Sequence, residues 1–135
     1  MNTNVDHLEL KIDSANSEFY KDLLQFLGWR PIYEGEGMLG IGAGKGPSLW
    51  FSNAGNSSRN DYDAPGVNHI GIHAESQGDV DATAAYLKGK GVAALFETPR
   101  HRPEFATAED QTYYQVMFES PGRILFEVVY TGPKQ

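Results

Sequence analysis

The sequence predicts an α+β fold made of two pseudo-symmetric βαβββ modules, which together form an eight-stranded, cup-shaped mixed sheet with flanking helices. Two observations carry this prediction. HLELKI, beginning at His7, and HIGIHA, beginning at His69, both alternate polar and apolar positions and start on histidine, 62 positions apart. Each is followed by a stretch with helical apolar spacing and then by three short apolar segments.

The first module, at about residues 5–52, opens with a strand over residues 7–12. A helix is expected over residues 14–27, with Ser14 as its N-cap and Gly28 at its end. Its apolar face is formed by Phe19, Leu23, Leu24 and Leu27. Short apolar segments separated by glycines then predict three strands, at residues 29–33, 38–41 and 48–52.

A polar, turn-rich linker at residues 53–66 leads to the second module, at about residues 67–131. Here a strand is followed by a helix at residues 76–88 that is capped by Ser76 and ended by Gly91. Its expected buried residues are Val80, Ala84 and Leu87. The remaining strands are predicted at residues 92–96, 113–119 and 124–130. Residues 98–110 are an insertion without a counterpart in the first module, and we expect them to form a loop that gates the ligand site.

The composition narrows the function classes. A hydrophobic content of 40% with 21% charged residues favours a packed globular core. The chain has no cysteine, which excludes disulfides, thiolate metal sites and cysteine nucleophiles. A net charge of -7 disfavours nucleic acid as a partner. We find neither a long apolar segment nor a secretory signal pattern, so a cytoplasmic protein without a membrane partner is expected.

Strand alternation assigns the faces of each predicted sheet. In the first strand Leu8, Leu10 and Ile12 point towards the helix, which leaves His7, Glu9 and Lys11 on the opposite face. In the second module His69 and His73 take that opposite face, as does Glu127 in the last strand. Aligning the two modules places Trp50 at the position of Glu127. We expect a ligand on these mixed faces.

The repeated modules that open on histidine, together with the ending SPGRILFEVVY, resemble the vicinal oxygen chelate superfamily. That superfamily includes glyoxalase I, extradiol dioxygenases, fosfomycin and bleomycin resistance proteins, and methylmalonyl-CoA epimerase. The resemblance covers about residues 5–130 and implies the fold more specifically than the reaction, because one scaffold supports several chemistries. It also implies a homodimer.

The resemblance implies that metal ligands come from the first and last strands of each module. Those positions are occupied here by His7, Trp50, His69 and Glu127. Two histidines and one carboxylate can hold a divalent ion such as iron, zinc, manganese or nickel with coordination positions left open. The set is similar to that of extradiol dioxygenases, whereas Trp50 cannot supply the fourth ligand of glyoxalase I. Metal-free members also exist, in which such a histidine is an ordinary pocket residue.

Further candidates lie near the same faces. His73 or Glu9 could act as an acid or base, and alternation points Tyr113 into the cup. Trp50 could provide a stacking surface. Arg100 and Arg102 could meet an anionic substrate, although two arginines in such a segment also suit a solvated surface.

Two functions therefore stay open. The first is a divalent-metal-dependent enzyme, a lyase, isomerase or dioxygenase, that acts on a small oxygenated substrate. The second is a metal-free binding protein of the bleomycin-resistance type, in which an acidic, aromatic-lined cup binds a cationic small molecule. The ligand set favours the first function, and the net charge of -7 favours the second.

Overall fold

The protein is described by a computed structural model that covers all residues from Met1 to Gln135. The chain divides into two compact units, residues 1–58 and 59–135. We call them unit 1 and unit 2. Each unit holds one of the predicted modules, and the boundary between the units falls inside the predicted linker.

Unit 1 contains a four-stranded mixed sheet and one α-helix. Its elements are β1 (His7–Ile12), a 3-10 turn (Ser14–Asn16), α1 (Ser17–Phe26), β2 (Arg30–Gly35), β3 (Met38–Gly42) and β4 (Ser48–Asn53). The strand order is β1-β4-β3-β2, with β1 parallel to β4 and the other neighbours antiparallel.

Unit 2 repeats this architecture. Its elements are β5 (Ile70–His73), α2 (Gln77–Gly89), β6 (Ala94–His101), a 3-10 turn (Pro103–Phe105), β7 (Gln111–Ser120) and β8 (Ile124–Pro133). The strand order β5-β8-β7-β6 is that of unit 1, again with only the outer pair β5 and β8 parallel. The predicted fold class and both modules are confirmed, with the eight strands distributed over two four-stranded sheets.

The helix ends follow local capping chemistry. Ser76 caps α2 as predicted, since its hydroxyl accepts a hydrogen bond of 3.0 Å from the backbone nitrogen of Asp79. The predicted start of the first helix at Ser14 is wrong. The carboxylate of Asp13 accepts a 2.9 Å hydrogen bond from the nitrogen of Ala15 and starts a 3-10 turn, so the α-helix begins only at Ser17.

Each unit buries aromatic and aliphatic side chains between its helix and its sheet. In unit 1 the fully buried Tyr20 of α1 stacks on Phe51 of β4, with ring centroids 4.7 Å apart. In unit 2 Phe118 and Phe126 stack at 5.7 Å and are likewise fully buried. Burying such a side chain contributes about 1.5–3 kcal/mol. Leu8 is less buried than alternation predicts, at 36% exposed, because β1 lies at the edge of the sheet and α1 packs mainly on the other three strands.

The predicted loop at residues 98–110 is partly wrong, because its first residues continue β6. Arg100 and His101 pair with Gln115 and Tyr114 on β7. The irregular part comes earlier, where the register shifts between Leu95 and Arg100. There the Thr98 hydroxyl accepts a 3.0 Å hydrogen bond from the nitrogen of Met117 and replaces a ladder bond. This side-chain bond lets the strand resume after the bulge.

Neither helix combines the length and the hydropathy that a membrane span requires.

Candidate functional site

The mixed face of the unit 2 sheet forms one wall of a cavity of about 890 Å³. We call it the unit 2 cavity. Residues of β7 and β8 on this face alternate with residues that pack in the core, as the period of a strand requires. Among the lining residues are His69, Arg100, Arg102, Tyr113, Gln115 and Glu127.

Glu127 is a buried carboxylate in the wall of this cavity, with 4% of its surface exposed. Its backbone pairs with Met117 on β7 and with Gly71 on β5. A Cβ atom at Gly71 would lie 3.3 Å from Oε1 of Glu127, so glycine leaves room for the carboxylate there. Oε1 accepts a 2.8 Å hydrogen bond from the Tyr113 hydroxyl, and Oε2 accepts one from the Gln115 amide. Both carboxylate oxygens are therefore held in fixed directions.

Tyr113 stays protonated in this arrangement. Burial, followed by the hydrogen bond to Glu127, raises the pKa of the Tyr113 phenol to about 12. The phenol is thus a hydrogen-bond donor to Glu127 at neutral pH. It lies on the face that alternation predicts for it, and its catalytic role stays a prediction.

Gln115 connects the carboxylate to Arg102. Its side-chain oxygen accepts a 2.9 Å hydrogen bond from Nη1 of Arg102, while its amide nitrogen donates to Glu127. Nε of Arg102 is 2.6 Å from Oε1 of Glu104, and the guanidinium carbon lies 5.1 Å from the centre of the Phe105 ring. The result is a continuous polar chain from Glu104 to Glu127, in which Arg102, Gln115 and Glu127 line the cavity.

The two predicted histidine ligands have similar local surroundings. Nδ1 of His69 is 2.8 Å from the side-chain oxygen of Asn68, and Nδ1 of His7 is 2.8 Å from a carboxylate oxygen of Asp6. Such partners orient the ring and leave Nε2 for a ligand, as is usual for metal-binding histidines. His69 lines the same cavity as Glu127, whereas His7 belongs to unit 1.

No three histidine, aspartate or glutamate side chains come together as a metal centre in the structure. The predicted ligand set is distributed over the two units, so it stays a prediction.

Trp50 occupies the position in unit 1 that Glu127 has in unit 2. It pairs with Glu9 on β1 and with Gly40 on β3. In the same way, Glu127 pairs with one residue on each of the two strands that flank β8. Its indole N–H donates a 3.0 Å hydrogen bond to the Ser48 hydroxyl, and its ring stacks on Tyr33 with a centroid distance of 6.1 Å. An indole in unit 1 therefore occupies the position that the carboxylate of Glu127 occupies in unit 2.

The other predicted site residues lie in different surroundings. Glu9 accepts a 2.6 Å hydrogen bond from Ser52 and lies 3.3 Å from Nζ of Lys11; these contacts, the Ser52 bond first, lower the pKa of the Glu9 carboxyl. His73 is exposed at the end of β5 and does not line the unit 2 cavity. Arg100 does line it, and its only ion-pair partner is Glu97 at 4.0 Å.

The sequence prediction missed Gln115, and it also missed the wall formed by Tyr62 and Asp63 from the linker. Arg123 holds this wall in place: its guanidinium lies 3.0 Å from Asp63 and 4.3 Å from the centre of the Tyr62 ring, and it also pairs with Asp61 at 3.2 Å. The spacing of Gln115 two residues after Tyr113, on the same strand face, is the signal that could have identified it.

The family model of the Glyoxalase/Bleomycin resistance protein/Dioxygenase superfamily matches residues 11–128. The chain belongs to this superfamily. No curated protein matches the sequence. Among solved structures, the chain is similar to a proposed glyoxalase from Bacillus halodurans, with 27% identity, a TM-score of 0.76 and coverage of 93% of this chain and 94% of the other.

Two further superfamily structures show the same fold at lower identity. One is a glyoxalase/bleomycin resistance protein from Albidiferax ferrireducens T118, with 19% identity, a TM-score of 0.73 and coverage of 93% and 97%. The other is a glyoxylase/bleomycin resistance protein/dioxygenase domain from Frankia sp. EAN1pec, with 17% identity, a TM-score of 0.68 and coverage of 98% of both chains.

Proposed function

We propose that the chain is a divalent-metal-dependent enzyme, a lyase, isomerase or dioxygenase, that acts on a small oxygenated molecule in the unit 2 cavity. His69 and Glu127, which line this cavity, would supply ligands to the ion, for which iron, zinc, manganese and nickel are the candidates; His7 of unit 1 stays a predicted third ligand. Members of the superfamily commonly bind divalent metals. The observation that supports the proposal most is the buried, doubly hydrogen-bonded carboxylate of Glu127 in a cavity that His69 also lines.

The donor set suits such an ion. Imidazole nitrogens and a carboxylate oxygen are ligands that first-row divalent metals accept. A carboxylate has about four lone-pair positions, so Glu127 can accept its two hydrogen bonds and still coordinate. When bound, a divalent ion would polarise a carbonyl or enolate oxygen of the substrate.

The protein side chains supply orientation and proton transfer. Tyr113 and Gln115 fix the direction of the Glu127 carboxylate and surround it with donors. Glu127 and Tyr113 line the cavity, whereas the predicted proton-transfer residues Glu9 and His73 do not. We therefore assign proton transfer to Glu127, with Tyr113 as the group that orients its carboxylate through the phenol hydrogen bond.

The test is the metal content of protein purified without an affinity tag or chelator. We expect about one divalent ion per chain in the wild type, as the coordination set implies. Glu127→Gln should lose the ion, because an amide replaces the anionic ligand at nearly the same volume. Glu97→Gln is the matched control, since Glu97 lines the same cavity with its side chain 90% exposed. Equal metal content in the wild type and Glu127→Gln would contradict the assignment.

A metal-free binding protein for a cationic molecule is the second candidate. It is supported by the rings of Tyr62, Phe96 and Phe105 and the carboxylates of Asp63 and Glu97, which line the same cavity. In this case the protein carries no metal after purification. Calorimetry would then show a planar aromatic cation binding to the wild type, with affinity lost when Phe105 is replaced by alanine.

A further inference from the structure

Gln115 separates a guanidinium from a carboxylate in the wall of the unit 2 cavity. Its side chain is 1% exposed and is bonded at both ends, to Nη1 of Arg102 and to Oε2 of Glu127. Opposite charges in a partly desolvated cavity attract each other strongly, so Arg102 and Glu127 would pair directly if nothing stood between them. The buried amide prevents this pairing, and Nη2 of Arg102 stays available to a ligand.

The orientation of Arg102 leaves one side of its guanidinium for that ligand. Nε bonds to Glu104, Nη1 bonds to Gln115, and the ring of Phe105 lies against the guanidinium face. Nη2 has no hydrogen bond within the chain and belongs to a residue that lines the cavity. Arg100 lines the same cavity and contacts Glu97 only at the 4.0 Å limit of an ion pair. Two guanidinium groups thus face one space.

The charges around the cavity disfavour a ligand that carries two negative charges. The two arginines are opposed by the carboxylates of Asp63, Glu97 and Glu127 in the lining, and Arg102 is also paired with Glu104 at 2.6 Å. Asp63 is paired with Arg123 at 3.0 Å, which compensates part of this negative charge. Two negative charges on a ligand would therefore meet more repulsion from these carboxylates than a single charge placed beside the arginines.

We propose that the unit 2 cavity binds a small monoanionic carboxylate with a flat apolar body. Arg102 holds the carboxylate with help from Arg100, since a guanidinium fork matches a planar carboxylate. The apolar body lies against Phe105 and Phe96, both of which line the cavity and are about half exposed. This inference rests on the proposed function for the role of the cavity and adds the chemical class of its substrate.

The experiment is a calorimetric titration of the metal-free full-length chain with benzoate, neutral benzamide and phenylphosphonate, in a buffer alkaline enough for phenylphosphonate to be a dianion. We expect benzoate to bind at least about tenfold more tightly than either of the other two. Arg102→Gln should weaken benzoate binding at least about tenfold and change benzamide binding less than about twofold. Arg59→Gln, which removes an exposed arginine of unit 2 outside the cavity, should leave both affinities unchanged.

Gln115→Met tests the separating role of the amide. With Arg102 still present, this variant should also lose benzoate affinity, because the guanidinium then pairs with Glu127. A melting curve shows whether the variant folds, and if it does not, the Arg102→Gln titration decides alone.

Three results would overturn the inference: a wild type that does not bind benzoate, benzoate affinity unchanged in Arg102→Gln, or phenylphosphonate as the tightest ligand. Failure of the proposed function is distinguishable, because it appears as the absence of metal from purified protein while the benzoate titrations still behave as expected.

Discussion

Replacing Gly40 by alanine tests how firmly the indole of Trp50 is held in unit 1. Gly40 is buried on β3 and pairs with Trp50 on β4. A Cβ atom at this position would lie 2.7 Å from Cη2 and from Cζ3 of the indole. Carbon atoms that are not bonded to each other do not approach this closely, so the indole must move.

The cost follows from what holds the indole. Displacing it breaks the 3.0 Å hydrogen bond to Ser48, worth about 0.5–1.5 kcal/mol, and disturbs the stacking on Tyr33, worth about 0.5–1.5 kcal/mol. Alanine in a strand recovers about 0.5–1 kcal/mol relative to glycine. These ranges combine to a net loss of about 0–2.5 kcal/mol, and we expect the middle of that range, about 1 kcal/mol, which corresponds to a melting temperature lower by roughly 5 °C for a chain of this size.

Thermal unfolding followed by circular dichroism measures this loss. Gly55→Ala is the control, because a Cβ atom there meets nothing within 4 Å. In a background of Trp50→Ala the Gly40→Ala change should have almost no further cost, since the clash partner is gone. The reasoning is refuted if Gly40→Ala has the melting temperature of the wild type, or if the losses of stability caused by Gly40→Ala and Trp50→Ala are additive in the double variant.

Three further predictions concern titration and assembly. The pKa of Tyr113 is raised from 10.0 to about 12, so the stabilisation that its phenol gives is complete below pH 10 and is lost between pH 10 and 12. In a titration of tyrosinate absorbance, Tyr113→Phe should lack one late-ionising phenol. Tyr114→Phe, which removes a phenol whose pKa is also about 12, provides the comparison. Ser52→Ala should raise the pKa of the Glu9 carboxyl towards 4.5, which an NMR titration measures. In the wild type the hydrogen bond from Ser52 to Glu9 stabilises the fold above pH 4.5, and this effect is lost as the pH falls. Sedimentation at micromolar concentration should show a homodimer, and a 14.9 kDa species alone would contradict this.

The pattern of the sequence was sufficient for the repeat and the order of elements. Period-two alternation identified β1 with its observed bounds, and glycines with positive φ, such as Gly28 and Gly91, end the helices where expected. The 3-10 turn after Asp13 could not be separated from the helix, because three residues are too few to show a periodic pattern of their own. The continuation of β6 was missed because it depends on the hydroxyl of Thr98, which substitutes for a strand bond only in the folded sheet.

Alternation along single strands was sufficient to predict part of the candidate site. It placed Tyr113 and Glu127 on one face, and the structure joins them by a hydrogen bond. Gln115 was missed because its role depends on partners in β8 and in the segment after β6, and the register between these elements cannot be seen in the sequence. The same holds for Arg123, whose partners lie about 60 residues away.

The contacts of Arg123 also determine where this protein can be recombined with its relatives. A chimera joined at residue 67, the predicted start of the second module, would take Asp61, Tyr62 and Asp63 from the foreign chain and leave the guanidinium of Arg123 with Glu119 at 3.7 Å as its remaining partner. A junction at residue 58 transfers the linker wall together with the arginine that holds it. The segment that has to be exchanged as one piece in a chimera is therefore longer than the repeat seen in the sequence.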